Sequence, residues 1–283
     1  MKSRTAIVFL THQYSRGMLR AFAKLRDEAQ DYGDVFLFGD GSQAPPAGLD
    51  GRICLFDFSK LKAQFPQAMG DCAVPGNLHM VYWEFYRTHK AYEHIWFVEH
   101  DVRYAGSWAD FLAHFNGNAA DLVSCHIRRW EHEPQWFWWD SLSCQGAHFP
   151  EDERIRAFLP VQRLSRRACH AIQAALESGW TGHSEAVIPT ALTRAGLVLD
   201  DMGGDGPFVS PHNRNRFYSS DDSEDGRLTC GSMRFRPPHT IWGRRRNWLY
   251  HPVKDTRQVA EPRQRRAPFP SPQRGAAGPP LRK

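Results

Sequence analysis

Hydrophobic residues along the chain change their spacing several times, and each change predicts an element. Ala6–Leu10 is a short, unbroken apolar run, the pattern of a strand buried on both faces. After it, Met18, Leu19, Phe22 and Leu25 recur at helical spacing behind Ser15, a residue suited to cap a helix. Gly33 ends that stretch. Val35–Phe38 predicts a second buried strand, closed by Gly39-Asp40-Gly41, and Ile53–Phe56 a third beyond a turn-rich loop. Leu78–Tyr92 reads as a helix, His94–Val98 as a strand, Trp108–Phe115 as a helix and Asp121–Cys125 as a strand. Leu164–Ser178 has the pattern of an amphipathic helix starting near Ser165. Ser184–Ala195 predicts another helix; its Pro189 is tolerated only in the first turn. Leu197–Leu199 reads as a short strand, and 203–231 as loop. Leu249–Lys254 is the last piece expected to be ordered.

Strand, helix and strand at this spacing predict an α/β fold. Its central sheet should be mostly parallel, with right-handed crossovers and flanking helices. One domain over residues 1–254 accommodates it, and the Pro/Arg-rich remainder, 255–283, is expected to be a disordered basic tail. The formal charge of +5 belongs to that tail: Lys254–Lys283 holds eight basic and two acidic residues. The six cysteines show no Cys-x-x-Cys spacing, which argues against a zinc site and a disulfide framework and fits a reducing compartment. The N-terminal apolar run is too short for a signal peptide, and no stretch has the length of a membrane span. A cytoplasmic location is expected, with peripheral contact to the inner membrane face through the basic tail left open.

The strongest chemical feature is the strand that runs into Glu99-His100-Asp101. Ligands of open parallel sheets bind beyond the carboxyl ends of the strands. Residues two apart on an extended chain point the same way, so both carboxylates should share one side and His100 the other. Like charges that close call for a cation, and hard oxygen ligands suit Mg²⁺ or Mn²⁺ bridging phosphates. The competing reading pairs both acids with Arg103, or uses them to cap the helix at Trp108.

The segment His94-Ile-Trp-Phe-Val-Glu-His-Asp-Val-Arg103, with Gly106-Ser-Trp108 after it, resembles the acid-x-acid strand of the glycosyltransferases with the Rossmann-like A-type fold. It is similar especially to a bacterial and fungal branch of these nucleotide-diphospho-sugar transferases. That family commonly has Asp at the first acid, where this chain has Glu99. The resemblance implies that Asp101 holds a metal through the donor diphosphate. Glu99 would contact the ribose or a metal-bound water, and His251 would be a third metal ligand. Thr11, after the first strand, would border the nucleotide. His183-Ser184-Glu185 is similar to the acceptor-side helix of such enzymes, making Glu185 the general base. One displacement with Glu185 as base would invert the anomeric centre. Each role has a structural alternative: His251 as a surface residue, Glu185 as a charge favourable to the helix dipole.

Trp136-Phe137-Trp138-Trp139-Asp140 suits either core packing or an acceptor platform, in which Trp138 and Trp139 pack on sugar faces and Asp140 bonds hydroxyls. The Asp200-Asp201 and Asp221-Asp222 pairs read as solvated turns. Arg244–Arg246 and Arg263–Arg266 suit phosphate contacts or plain solvation. The resulting expectation is a metal-dependent glycosyltransferase moving a sugar from a nucleotide-sugar donor to a glycan, polysaccharide or lipid-linked acceptor. Three alternatives stand beside it: an inactive nucleotide- or glycan-binding protein of the same fold, a nucleic-acid-associated protein acting through its tail, and a nucleotidyltransferase. The last would want a basic, Gly-rich loop where this chain has Thr11–Gly17.

Overall fold

The structure, a computed structural model, describes residues 5–221 and 226–254. The expected tail and Asp222 lie outside them. In chain order the elements begin with β1 (Thr5–Thr11), α1 (Arg16–Ala29), β2 (Asp34–Asp40), β3 (Arg52–Phe56), α2 (Phe58–Gln64) and α3 (Leu78–Thr88). Then come β4 (His94–Glu99), β5 (Arg103–Tyr104), α4 (Trp108–His114), β6 (Leu122–Arg129), β7 (Ser143–Cys144), β8 (Ala147–His148) and β9 (Ile155–Ser165). The last are α5 (Arg166–Glu177), β10 (Trp180–Thr181), α6 (Ser184–Arg194), β11 (Leu199–Asp201) and β12 (Leu249–Tyr250).

Seven strands form the central sheet in the order β11-β6-β9-β4-β1-β2-β3. All run parallel except β9, which lies antiparallel between β4 and β6. The mostly parallel α/β sheet follows the expectation. Side-chain alternation splits β1 between two cores. Ile7 and Phe9 join Met18 and Phe22 of α1 and Trp108 and Phe111 of α4 on one face. Ala6, Val8 and Leu10 join Leu61 of α2, Met80 and Phe85 of α3, Ile172 of α5 and Ile188 of α6 on the other. Two predicted caps are made: Ser15 Oγ accepts from the Met18 amide at 3.2 Å, and Ser165 Oγ from the Ala168 amide at 3.0 Å.

Strand β9 was not expected, and it corrects the predicted helix start. Leu164 and Ser165 close the strand, and α5 begins at Arg166. Every residue of β9 is buried, including Arg156, Gln162 and Arg163. Arg163 explains how a charged residue sits there. Its guanidinium donates to the carbonyls of Phe115 (2.9 Å), Asn118 (2.7 Å) and Ala120 (3.0 Å). In α6, Pro189 falls in the second turn, where it has no N–H to give to the Glu185 carbonyl one turn back.

Candidate functional site

The carboxyl ends of β1, β2 and β4 lie side by side. Leu10 is in register with Glu99, and Thr11 with Gly39. Glu99 ends β4, and the chain turns sharply at once: the Val102 amide donates to the Glu99 carbonyl at 3.0 Å. That turn buries Asp101, which is 5% exposed. The C-terminal segment returns over it, because β12 pairs with β5 and the Val253 amide donates to the Asp101 carbonyl at 2.8 Å. His251 is thereby brought beside residues that lie far from it along the chain. Its Nε2 lies 3.4 Å from Asp101 Oδ1 and 3.7 Å from Glu99 Oε2. One ligand atom from each of Glu99, Asp101 and His251 falls within 4.8 Å of the others.

The orientation of His251 is fixed from behind. Its Nδ1 donates to the Arg234 carbonyl at 2.8 Å, and its amide donates to the Ser232 carbonyl at 2.9 Å. Nε2 is left facing the acids, the arrangement typical of a metal-bound histidine. The charge balance is internal as the protein stands. Burial alone would lower the pKa of His251, but the Asp101 and Glu99 carboxylates outweigh it and push the imidazole up to about 10. Burial would likewise raise the Asp101 pKa; His251, His100 and Lys254 overcome it and hold the carboxyl well below its ordinary range. Lys254 pairs with Asp101 Oδ2. Asp101 Oδ1 is nonetheless buried with no well-formed hydrogen bond among the described residues, its contact with His251 being long at 3.4 Å. Two acids and an imidazole around an unsatisfied carboxylate oxygen are a donor set that fits Mg²⁺ or Mn²⁺.

The alternative pairing with Arg103 gives way to other partners. That guanidinium donates to the His100 and Val102 carbonyls, each at 2.8 Å. His100 turns away from the acids and meets the His12 ring edge-on at 4.5 Å. Burial pushes its pKa down to about 3. Thr11 sits at the predicted edge, but its hydroxyl donates to the Gln13 carbonyl at 2.6 Å and closes a local turn.

Glu185 opens α6, where His183 caps the helix by accepting from the Glu185 amide at 3.3 Å. Its carboxylate lies 3.9 Å from both Arg156 and His183 and close enough to Glu99 and His251 to feel their charges. Burial pushes its pKa up to about 7; Arg156 opposes the shift and Glu99 adds to it. Two neighbours escaped the sequence reading. Tyr82 of α3 lies where the Glu99 and Glu185 charges add to burial in raising its pKa. Gln162 of β9 stands in register with Phe97. The Tyr82 hydroxyl and the Gln162 amide are buried facing each other, close enough for Gln162 to lower the Tyr82 pKa, but neither makes a well-formed hydrogen bond among the described residues. No periodicity marks them, because the helix and the strand are buried there and both residues look like core.

The aromatic stretch divides. Trp139 is 2% exposed, and its indole N–H donates to the Glu133 carbonyl at 2.8 Å. With Trp136, Leu142, Phe149, Ala186 and Val187 it forms a small core of its own. That corrects its expected place on an acceptor platform. Trp138 is half-buried and stacks on the His183 ring at 4.9 Å, while Asp140 is exposed. Asp201, expected in a solvated turn, is fully buried. It accepts from the Tyr218 hydroxyl (2.7 Å) and the Ile127 amide (2.9 Å), and burial pushes its pKa up to about 7.

No protein-family model matches the chain, and no curated protein matches it. Solved structures do. One is a glycosyltransferase involved in the glycosylation of the major capsid of PBCV-1, at 7% identity and a TM-score of 0.31, over 61% of this chain and 66% of that one. The match thus spans just under two thirds of that enzyme. Another is 2-C-methyl-D-erythritol 4-phosphate cytidylyltransferase from Thermus thermophilus, at 10% identity and a TM-score of 0.40, over 72% of this chain and 93% of that one. Both likenesses are distant. Among the described residues no helix is long and apolar enough to cross a membrane.

Proposed function

We propose that this protein is a metal-dependent glycosyltransferase of the A-type fold that moves a sugar from a nucleotide-diphosphate donor to a hydroxyl acceptor. One observation carries the reading: Glu99, Asp101 and His251 converge within 4.8 Å at the carboxyl end of β4, with Asp101 Oδ1 unsatisfied. Glu99, Asp101 and His251 would hold Mn²⁺ or Mg²⁺. That ion would neutralise charge on the nucleoside diphosphate as it leaves. Glu185 would take the proton of the acceptor hydroxyl onto its carboxylate, and a pKa near 7 suits that task. A single displacement would then invert the anomeric carbon. The Tyr82 hydroxyl and Gln162 amide, which face each other without a well-formed hydrogen bond, are suited to sugar hydroxyls, since buried polar groups seek partners. Trp138 and Asp140 remain at the protein surface as acceptor contacts.

The protein is incubated with UDP-, GDP- and CDP-sugars and Mn²⁺, and release of the nucleoside diphosphate is followed. The expected result is release from one donor class, abolished by chelation and by Asp101→Ala. Release unaffected by both would refute the metal-dependent reading.

A second reading has its own observation. The charges of His251 and Lys254 already balance Asp101 and Glu99. A site so balanced can bind a nucleotide or glycan with no ion and no turnover. The two readings part on Mn²⁺ titration. Metal capture requires His251 to give up its proton, so it is accompanied by proton release. Donor binding indifferent to Mn²⁺ would favour the inactive protein.

A further inference from the structure

The described residues expose seven large hydrophobic side chains, and three of them fall within eight residues: Phe235 (48%), Ile241 (58%) and Trp242 (41%). Arginines surround them. The stretch Arg234-Phe-Arg-Pro-Pro-His-Thr-Ile-Trp-Gly-Arg-Arg-Arg246 contains no acid. The polarity extends further: residues 226–254 hold seven basic residues and no acidic one, whereas 1–225 hold 22 basic and 29 acidic. Charge is therefore segregated within the folded part and not only in the tail.

We propose that the loop 234–246 docks on an anionic phospholipid bilayer. Trp and Ile would enter the interface, and the arginines would meet lipid phosphates, the division of labour that interfacial segments use. Arg236 already lies over the Phe235 ring at 5.0 Å, a cation set against an apolar ring. A groove of about 330 Å³ beside the loop, lined by Arg216, Arg245, Arg246 and Asn247 with Asp110 as its one acid, offers room for a phosphate head group. Aromatic and basic residues together also suit single-stranded nucleic acid. Ile241, the most exposed of the three, has no π face for base stacking and favours the bilayer.

The loop is tied to the candidate site. The Arg234 amide donates to the His251 carbonyl at 3.1 Å, and the His239 amide to the Pro252 carbonyl at 2.8 Å. Docking would set the Glu99-Asp101-His251 cluster near the membrane surface, where a lipid-linked acceptor presents its hydroxyl. That consequence for the acceptor rests on the transferase reading; the docking does not.

The full chain is sedimented with phosphatidylcholine vesicles and with phosphatidylcholine–phosphatidylserine vesicles at roughly two to one. Binding is expected to the second only and to weaken as salt rises. Ile241→Asp with Trp242→Asp should weaken it at least about tenfold, and Arg244→Gln with Arg246→Gln comparably. All four side chains are exposed, so the unfolding midpoint should not move. Absence of a preference for anionic vesicles would overturn the proposal. So would vesicle binding that the Ile241/Trp242 variant leaves unchanged, which would assign adhesion to the tail. Binding of single-stranded RNA in preference to vesicles would overturn it as well. Unfolding midpoints with donor and Mn²⁺ separate this outcome from the fate of the transferase reading, since the docking variants should keep any donor-induced shift.

Discussion

Among the described residues, the cluster around Glu133 and the cluster around Asp101 both bury charge, and they are built differently. In the first, Glu133 is completely buried, and each of its oxygens has a directed partner: His126 Nε2 at 2.9 Å and Arg156 Nη1 at 2.7 Å. Arg156 also donates to the Gly226 carbonyl at 3.0 Å and lies 4.2 Å over the Trp136 ring. In the second, His251 stands 3.4 and 3.7 Å from two carboxylates, and Asp101 Oδ1 makes no well-formed hydrogen bond among the described residues. A buried carboxylate with both oxygens satisfied holds a fold together, even though Arg156 Nε beside it has no partner among the described residues. Opposed charges with an unsatisfied oxygen, at the end of a strand where ligands bind, suit a group that arrives later.

The largest test of this contrast is Arg156→Ala. It leaves the Glu133 charge buried with one partner fewer, and such losses cost about 3–5 kcal/mol. Urea unfolding should read that loss; a change under about 1 kcal/mol would mean that water reaches Glu133 freely.

Asp201→Asn comes next, at about 1–3 kcal/mol, because one acceptor facing the Ile127 and Gly203 amides or the Tyr218 hydroxyl becomes a donor. It also carries a pH signature. The folded pKa is raised from 3.8 to about 7, so the folded state keeps a proton that the unfolded chain releases. The resulting stability is full below about pH 4 and is lost as pH rises towards 7. Denaturation series across that window should show a flatter slope for the Asn variant than for the parent.

The proposed role of Glu185 as general base predicts an acid limb. The carboxylate, not the acid, takes the proton, so kcat/KM should rise with pH and level off above about 7. Glu185→Gln should remove most of the rate and leave donor binding in place. A full rate in that variant would return Glu185 to the role of a helix-terminus charge.

The smallest effect is expected at the surface. Trp138→Ala loses a half-exposed stack on His183 and should cost about 1 kcal/mol or less, measured by thermal unfolding, whereas its buried neighbour Trp139→Ala should cost about 3–5 kcal/mol. Equal losses would put both rings in the core.

What could be read from the chain follows the physics of each element. β1, β2 and β4 are continuous apolar runs because both faces of a parallel sheet are covered, and α1 and α5 carry their caps in the sequence. β9 was not readable, since Arg156 and Arg163 are buried against partners that lie far along the chain. The same blindness hid the Glu133–Arg156–His126 cluster and made Asp201 look solvated. At the site, the sequence grouped Glu99 with Asp101 and set His100 apart by assuming an extended chain, whereas a turn closed by the Val102 amide on the Glu99 carbonyl is what achieves it. His251 was reached only through family resemblance, because nothing local in Tyr250-His-Pro252 announces that β12 returns to β5. Tyr82 and Gln162 could be found only as buried atoms that lack a well-formed hydrogen bond among the described residues.

The most direct test of the central claim is thermal unfolding with UDP, GDP, CDP and their sugars, each with and without Mn²⁺, for the parent protein and Asp101→Ala. A ligand at about 100 times its Kd stabilises the fold by about 2.7 kcal/mol, which raises the midpoint visibly. The predicted result is a Mn²⁺-dependent rise with one nucleotide class that disappears in Asp101→Ala. No rise with any of them, or a rise that ignores both Mn²⁺ and the substitution, would contradict a metal-held nucleotide at Glu99, Asp101 and His251.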